Sequence, residues 1–347
     1  MSSIHLQDPF NMHHSKDNFA DTQAVNKPPM HQTHIPRQFG KRRFLSWNDQ
    51  QRSQHGGRVQ KVSIDAGFTC PNRDGSKGIG GCTFCNNDGF TPSYLRDQAD
   101  ITRQIDTGLD FFTRRYPNTR HFVAYFQAFS NTYAPVDQLR KVYTAALAHP
   151  KIDGLVIGTR PDCVPDDVLD YLAELSRNKI IELELGLESC DDATLARVNR
   201  GHNFAEAQDA IHRAATRGLQ VAAHIMFDLP GESRERMLAG AVKLSSLPLQ
   251  SVKLHQLQII KHTVLANQWR RDPASLPIMG PTDYFELVVD FLERLSPTIA
   301  IQRIGSEVPP AFKLAPDWNM RLHELLPQVE ALLLKRDTWQ GRLHRTQ

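Results

Sequence analysis

The segment Ile181–Glu188, with the sequence IELELGLE, alternates aliphatic and acidic residues and decides between fold classes for this chain. Glu182, Glu184 and Glu188 fall on one face, since side chains alternate between the two faces of a strand. The stretches on both sides are typical of helices, which favours a parallel strand with helices over its outer face. The acidic face is therefore predicted to point into a polar lumen. An antiparallel strand with one face in water is the alternative interpretation.

The rest of the chain repeats this alternation of strand and helix. From Phe44 onward, short apolar runs alternate with amphipathic stretches of about ten to fifteen residues, which is the pattern of βαβ units. Two helices carry clear boundary signals: one starts at Pro165, and one is capped by Asn203 and Glu206 and ends at Gly218. The predicted strands span residues 61–66, 121–130, 154–158, 180–187, 221–227, 251–259 and 298–304. Five or six such units predict a parallel barrel or an open, partly closed version of one.

The overall composition is that of a soluble globular protein. The 347 residues (39.3 kDa) are 40% hydrophobic and 23% charged, and no apolar run is long enough to cross a membrane. Residues Met1 to Asp8 lack the basic start and apolar run of a secretory signal, so we expect a cytoplasmic protein without a membrane partner. A net charge of +3 is too small to indicate by itself a protein that binds nucleic acid.

The first 43 residues are predicted to be a disordered tail rich in His, Pro and Gln. Few aliphatic residues occur there, so the segment cannot bury enough apolar surface to offset the entropy lost on ordering. The alternative is a metal-binding tail, whose ligands would be His5, His13, His14, His31 and His34. The other predicted regions are a core barrel over residues 44–310 and a helical C-terminal extension over residues 311–347.

Three of the five cysteines lie in one glycine-rich loop directly after the first predicted strand. The loop CPNRDGSKGIGGCTFC, at 70–85, has the spacing C-x11-C-x2-C, and thiolates are ligands for soft metals. A structural zinc would need a fourth ligand, and the nearest one, His55, lies outside the loop. Three cysteines better suit a [4Fe-4S] cluster with one iron left open to bind a ligand. The other two, Cys163 and Cys190, have no partner at ligand spacing and are interpreted as core residues.

This loop and four further segments resemble the radical S-adenosylmethionine (SAM) enzymes, in particular the YhcC-type members related to the Elongator catalytic subunit. The further segments are YFQAFSNTYAP at 125–135, GTRPDCVPD at 158–166, LELGLESCDDATLARVNRGH at 183–202 and HIMFDLPGE at 224–232. The resemblance covers residues 44–318 and implies an α/β fold, a partial (β/α)6 TIM-like barrel. The cysteine spacing departs from the commoner C-x3-C-x2-C, which favours this subgroup. Too few residues follow Trp318 for the acetyltransferase domain of the Elongator subunit.

The resemblance also implies which residues hold the cofactors. Cys70, Cys82 and Cys85 would hold three irons of a [4Fe-4S] cluster, and the fourth iron would bind SAM. Reductive cleavage of SAM would yield methionine and a 5′-deoxyadenosyl radical, with a flavodoxin or ferredoxin as the electron donor. The positions implied to contact SAM are Ser130, Asn131, Thr132, Arg160, Glu188, Arg200 and His224. Two of them have alternative structural roles, namely a barrel salt bridge for Glu188 and a hydrogen-bonded core position for His224.

Three functions remain open on the sequence alone. The first is a radical SAM enzyme that modifies tRNA at a wobble uridine, as several relatives of the Elongator subunit do. The second is a radical SAM enzyme for a small molecule, as in the oxygen-independent coproporphyrinogen oxidases. The third is a non-catalytic zinc-binding module. A basic stretch before the loop would contact tRNA phosphates or consist of solvated charges; its members are Lys41, Arg42, Arg43, Arg52, Arg58 and Lys61.

Overall fold

The computed structural model describes residues 35–89, 91, 92, 95 and 100–345. Residues 1–34 of the predicted tail lie outside the described residues, whereas residues 35–43 are described. A 3-10 turn, Arg37–Phe39, buries the Phe39 ring to 2% exposure. Arg43 forms an ion pair of 2.9 Å with Asp337, near the other end of the chain. The buried ring and the paired charge place residues 35–43 in the folded part, which corrects the predicted tail boundary at residue 43.

Parallel strands form one curved sheet that confirms the predicted partial barrel. The strands of this sheet are β1 (Arg58–Ile64), β2 (Thr119–Phe126), β3 (Ile152–Thr159), β4 (Ile180–Glu188), β5 (Gln220–Phe227), β6 (Ser251–Gln256) and β8 (Ala300–Ile304). Two short strands, β7 (Ile259–Ile260) and β9 (Lys313–Ala315), form a separate antiparallel pair. Within the described part of the chain, the edge strands β1 and β8 do not pair with each other. The barrel is therefore open along one side, and β8 confirms the seventh predicted strand, at 298–304.

Most of the helices connect successive strands. The helices are α1 (Trp47–His55), α2 (Ile101–Arg115), α3 (Val136–Leu147), α4 (Asp166–Ser176), α5 (Asp192–Arg197), α6 (Phe204–Thr216), α7 (Arg234–Ser245), α8 (Val264–Arg271), α9 (Pro281–Arg294) and α10 (Leu322–Lys335). Among them, α2, α3, α4 and α6 pack on the sheet. The predicted boundary signals are confirmed, because α4 begins directly after Pro165 and a capping box of Asn203 and Glu206 opens α6. Among the residues described, no helix has the length and apolar character needed to cross a membrane.

The inner face of the sheet is polar, as the alternation in β4 predicts. Glu182 and Glu184 are buried on this face and accept hydrogen bonds from Lys61 Nζ on β1 at 2.8 and 2.5 Å. Gln302 on β8 donates a further hydrogen bond of 3.0 Å to Glu182. Leu183, on the opposite face of β4, is fully buried in the hydrophobic core. The parallel interpretation of this segment is therefore correct, and the antiparallel alternative is wrong.

The amino-terminal end of the open side is covered by α1. The Leu45 carbonyl, just before this helix, accepts a hydrogen bond of 2.8 Å from the backbone N–H of Ile301 on β8. Trp47 Nε1 donates to Glu182 at 3.1 Å, and Lys61 Nζ lies 4.6 Å from the centre of the Trp47 ring. Because α1 contacts both edge strands, it closes the bottom of the lumen and leaves the carboxyl ends of the strands accessible.

The C-terminal region is a helical extension, as predicted. Helix α10 packs against α9 and buries Leu325, Val329 and Leu333.

One predicted strand before this region is shorter than expected. β6 ends at Gln256 rather than at residue 259, because the chain there leaves the barrel to form β7 and pair with β9.

Candidate active site

A cavity at the carboxyl ends of the strands contains the three loop cysteines. Cys70, Cys82 and Cys85 all line it, and the loop that carries them directly follows the end of β1. The loop turns at Gly80 and Gly81, whose φ angles of 84° and 82° are rarely adopted by residues with a side chain. This placement matches that of ligand sites in parallel barrels, which lie at the carboxyl ends of the strands.

Two N–H donors point at the sulfur of Cys82. Arg200 Nη1 lies 3.4 Å from this Sγ, and Asn72 Nδ2 lies 3.6 Å from it. Hydrogen bonds to the ligating sulfurs are among the features by which a protein tunes an iron–sulfur cluster. Burial and the neighbouring Cys82 raise the pKa of the Cys85 thiol to about 11. Without a bound metal this thiol keeps its proton at neutral pH, and metal binding would release it.

The surroundings of the thiols fit a [4Fe-4S] cluster that carries a further ligand. Two buried polar atoms nearby, Asn72 Oδ1 and Arg200 Nε, have no hydrogen-bond partner among the described residues. Buried polar groups are normally hydrogen-bonded, so these atoms are available to a bound group. In such a cluster each cysteine holds a different iron, and the sulfurs do not converge on one point. Among the described residues, no group of three or more His, Cys, Asp or Glu is arranged to hold one metal ion.

Arg200 connects the cysteine loop to the end of β4. Its Nη2 donates a hydrogen bond of 2.5 Å to the Gly186 carbonyl and lies 3.6 Å from Glu188 Oε1. Burial opposes the positive charge of Arg200, but Cys82 and Glu188 outweigh it and raise the pKa of the guanidinium. Glu188 has a φ angle of 70°, a strained backbone of the kind that clusters at functional sites. The structure thus brings the predicted Glu188 and Arg200 together beside Cys82.

The turn at Pro230 and Gly231 places a buried carboxyl behind the end of β4. Ser189 Oγ donates a hydrogen bond of 2.5 Å to Glu232 Oε1, while Glu232 Oε2 is buried without a partner among the described residues. Burial raises the pKa of Glu232 to about 7. Glu232 does not line the cavity and is bonded to the side chain of Ser189, the residue after Glu188.

Only one of the three predicted polar residues after β2 faces the cavity. Ser130 lines it, as predicted. Asn131 Nδ2 instead donates a hydrogen bond of 2.8 Å to the Gly158 carbonyl, and Thr132 Oγ1 lies 2.6 Å from Thr159 Oγ1. These bonds join the loop after β2 to the end of β3. Both side chains are buried between the two strands, so the contact of Asn131 and Thr132 with SAM stays a prediction.

Arg160, directly after β3, bonds to several parts of the site. Its guanidinium donates to both carboxylate oxygens of Asp162 at 2.9 Å, and its Nη1 donates to the Arg200 carbonyl at 2.7 Å. Lys77, from the cysteine loop, lies 2.8 Å from the same Asp162 carboxylate. Burial opposes ionisation of Asp162, but the hydrogen bonds from Arg160 and Lys77 outweigh it and lower its pKa to about 2. Arg160 lines the cavity and fixes the cysteine loop relative to Arg200.

His224 lies in a charged network deeper in the lumen. Its Nε2 is 2.9 Å from Glu184 Oε2, which also accepts a hydrogen bond of 2.7 Å from Lys253 Nζ. Lys253 donates a second hydrogen bond of 3.1 Å to Tyr125 Oη. Burial lowers the pKa of Lys253 to about 7 even with Glu184 beside it. His224 also lines the cavity, so its predicted contact with SAM stays a prediction.

Several residues of the cavity were missed by the sequence analysis. Tyr125, Lys253, His255 and Arg303 all line it. The sequence does contain a signal for Lys253 and His255, because they alternate with the apolar Val252 and Leu254 in a predicted strand. The same alternation identified the inward face of β4.

The basic stretch before the cysteine loop does not lie beside the loop. Arg58 begins β1 and Arg52 lies on α1, so both are at the amino-terminal end of the barrel, opposite the cysteines. They line a surface groove with Tyr116, whose ring centre lies 3.7 Å from the Arg58 guanidinium. Lys61 points into the lumen and is paired there. The structure thus places Arg52, Arg58 and Lys61 away from the cysteine loop, and contact of this stretch with tRNA phosphates stays a prediction.

Comparisons with known proteins agree with this site. The Radical SAM superfamily matches residues 70–239, and the Radical_SAM C-terminal domain matches residues 249–335. Protein YtqA of Bacillus subtilis is 35% identical over 87% of this chain and 92% of its own length. Protein YhcC of Escherichia coli K12 is 37% identical over 76% of this chain and 84% of its own.

The fold is shared with a solved structure of Elp3. This structure, of archaeal Methanocaldococcus infernus Elp3 with an N-terminal deletion, has a TM-score of 0.62 and 16% identity. The match covers 81% of this chain and 64% of the Elp3 chain, so this chain spans less than two thirds of that protein. The superfamily match begins at Cys70, and the identity to YtqA extends over nearly all of that relative. These matches confirm the predicted resemblance: the chain belongs to the radical SAM superfamily, whose cofactors are a [4Fe-4S] cluster and SAM, and is related to YhcC, YtqA and Elp3.

Proposed function

We propose that this enzyme binds a [4Fe-4S] cluster through Cys70, Cys82 and Cys85, cleaves SAM reductively and modifies a tRNA nucleoside. The observation that carries the proposal is the position of Arg200, whose guanidinium contacts both the Cys82 sulfur and the end of β4 at Glu188. One cavity thus holds the thiols and a pair of opposite charges beside them. When bound, the cluster and SAM supply the 5′-deoxyadenosyl radical.

The charges of the cavity suit the amino-acid part of SAM, which carries an ammonium and a carboxylate. Glu188 would accept hydrogen bonds from the ammonium, and Arg200 would donate to the carboxylate. Ser130, which also lines the cavity, offers one more polar contact through its hydroxyl group. Because Arg200 and Glu188 are largely buried, these interactions are stronger than they would be in water.

The cofactor part of the proposal is tested with anaerobically reconstituted protein. We expect dithionite-reduced protein to release 5′-deoxyadenosine from SAM, measured by liquid chromatography. Glu188→Gln and Arg200→Gln should weaken SAM binding while the iron content stays the same, since neither residue holds iron. Stoichiometric zinc with no iron in the purified protein would contradict the proposal. Flavodoxin or ferredoxin is the proposed natural electron donor, and either one should replace dithionite in this assay.

The tRNA part of the proposal is supported by the similarity to Elp3 and by the open side of the barrel. A base that leaves the stack can enter a pocket that a paired base cannot reach. Sequence-specific recognition of RNA is also concentrated in single-stranded loops, such as the anticodon loop that contains the wobble position. The carboxyl ends of the strands are accessible here because α1 covers only the amino-terminal end.

The tRNA part is tested by mass spectrometry of tRNA nucleosides from a strain that lacks the gene. We expect one modified nucleoside, a wobble uridine derivative, to change in mass. A plasmid copy carrying Cys190→Ala should restore the wild-type profile, whereas a copy carrying Cys82→Ala should not. An unchanged nucleoside profile in the deletion strain would overturn the tRNA assignment without affecting the SAM cleavage result.

A small-molecule substrate is the second candidate. It is favoured by the position of Arg52 and Arg58. These residues are predicted to contact tRNA phosphates, but they lie at the end of the barrel opposite the thiols. In that case the deletion strain should keep its tRNA profile and accumulate a metabolite. The same two measurements therefore separate the two candidates.

A further inference from the structure

The cavity has a second polar region on β6 and β8, separate from the thiols and from Arg200. Lys253 and His255 lie on the same face of β6, and Lys253 is paired in register with Arg303 on the neighbouring β8. All three side chains line the cavity. We call this region the β6/β8 pocket and define it by Lys253, His255 and Arg303.

Arg303 carries a positive charge that no described residue neutralises. The two carboxylates that line the cavity have other partners: Glu184 binds Lys61 and Lys253, and Glu188 is paired with Arg200. The Arg303 side chain is exposed on the edge strand of the barrel's open side. A guanidinium is a rigid fork of donors that matches a carboxylate or a phosphate through two hydrogen bonds.

His255 adds an unpartnered polar atom next to this charge. Its Nε2 is buried and has no hydrogen-bond partner among the described residues. The ring stacks on His224, with 5.6 Å between the ring centres and 28° between the planes. Burial, followed by the charge of Arg303, lowers the pKa of His255. The neutral ring still has one N–H to donate, and the buried nitrogen is expected to meet a ligand.

We propose that the β6/β8 pocket anchors an anionic group of the substrate, a carboxylate or a phosphate, through Arg303 and His255. The inference rests on the proposed function, because it names the substrate class of the same cavity. Lys253 keeps its bonds to Glu184 and Tyr125, and an anion bound beside it would favour its charged form. A substrate held at this end extends through the cavity toward the cysteines, where the radical is generated.

The anchor is tested on reconstituted protein by anion-dependent thermal stabilisation at constant ionic strength, with chloride as the reference. The probes are inorganic phosphate and succinate, which represent the phosphate and carboxylate sources. We expect the wild-type melting temperature to rise with at least one probe, in a saturable manner. Stronger stabilisation by phosphate would identify a phosphorylated substrate such as a nucleotide, and stronger stabilisation by succinate would identify a carboxylate.

Variants assign the effect to the pocket. Arg303→Gln should weaken the apparent affinity for the probe about tenfold, the loss expected for a hydrogen bond between charged groups. Arg303→Lys keeps the charge without the fork and should bind with intermediate affinity, and His255→Gln should also bind more weakly. Arg271→Gln, an exposed arginine at the end of α8 outside the cavity, is the matched control and should bind as the wild type does.

Two results would overturn the anchor: no stabilisation of the wild type beyond chloride, or equal affinity in Arg303→Gln and the wild type. Anion binding is measured without turnover. It can therefore fail while SAM cleavage succeeds, which would remove the anchor and leave the proposed function intact. Absence of SAM cleavage with intact anion binding would instead overturn the proposed function.

Discussion

Replacing Gly186 by alanine tests the position of Arg200 without changing any residue proposed to touch a cofactor. A Cβ at this position would lie 2.7 Å from Arg200 Nη2 and 2.8 Å from Glu188 Oε1. Both atoms are at the ends of flexible side chains, so they are expected to move while the strand stays in place. Arg200 would then lose its 2.5 Å hydrogen bond to the Gly186 carbonyl and its orientation toward Glu188.

The size of the effect follows from that lost bond. A hydrogen bond to a charged group contributes about 1.5–3 kcal/mol, and about 1.4 kcal/mol corresponds to a factor of ten in affinity. We therefore expect the Kd for SAM to rise roughly tenfold to a hundredfold in Gly186→Ala. The iron content should stay at the wild-type value because no thiol is moved. Equilibrium dialysis with labelled SAM and an iron assay on the same anaerobic preparation measure the two quantities.

A second glycine provides the control. Gly240 on α7 has room for a methyl group, since its Cβ would lie 3.7 Å from the nearest atom, Cys190 Sγ. Gly240→Ala should bind SAM with the wild-type Kd and melt at the same or a slightly higher temperature, because alanine favours a helix. If Gly186→Ala also bound SAM with the wild-type Kd, then Arg200 and Glu188 would not be the residues that hold SAM.

Three further predictions concern the metal, the pH dependence and the basic stretch. Cys82→Ala should prevent the binding of about four irons and four sulfides per chain, whereas Cys190→Ala should not; iron and sulfide analysis checks both. Glu232 has a pKa raised from 4.5 to about 7, so the folded state holds its proton more tightly and the protein loses stability as the pH rises through this range. Glu232→Gln should therefore raise Tm at about pH 8 and have little effect near pH 4.5, as measured by thermal denaturation. Arg43→Ala should lower the free energy of unfolding by up to about 1 kcal/mol through loss of its pair with Asp337, and should leave tRNA binding in a filter assay unchanged.

Patterns within a few residues predicted much of the fold. The alternation over Ile181–Glu188 shows which side chains of β4 point inward, because successive side chains of a strand lie on opposite faces. The capping box at Asn203 and the glycine-rich cysteine loop are equally local, and both were found from spacing alone. Features of this kind depend only on local backbone geometry, which a few neighbouring residues determine.

Features that depend on long-range geometry were not predicted from the sequence. Arg58 precedes the cysteine loop closely in the chain, yet a strand of this length separates it from the loop by about 20 Å. Asn131 and Thr132 follow Ser130 directly, but their side chains turn toward β3 and make bonds there. Arg303 reaches the cavity only because β8 joins the sheet beside β6, a pairing that no local pattern contains.

The contact between Leu45 and Ile301 has a consequence for synthesis on the ribosome. Leu45 also donates its backbone N–H to Gln340 Oε1 at 2.9 Å, so α1 is held by segments that are translated much later than α1 itself. The amino-terminal part of a domain leaves the ribosome first, before the later segments that it will contact have been made. The cysteine loop is therefore outside the ribosome long before α1 can dock. During that interval the hydrogen bond from Trp47 to Glu182 has not formed, and the charged side chains of the lumen are exposed to water at the amino-terminal end of the barrel.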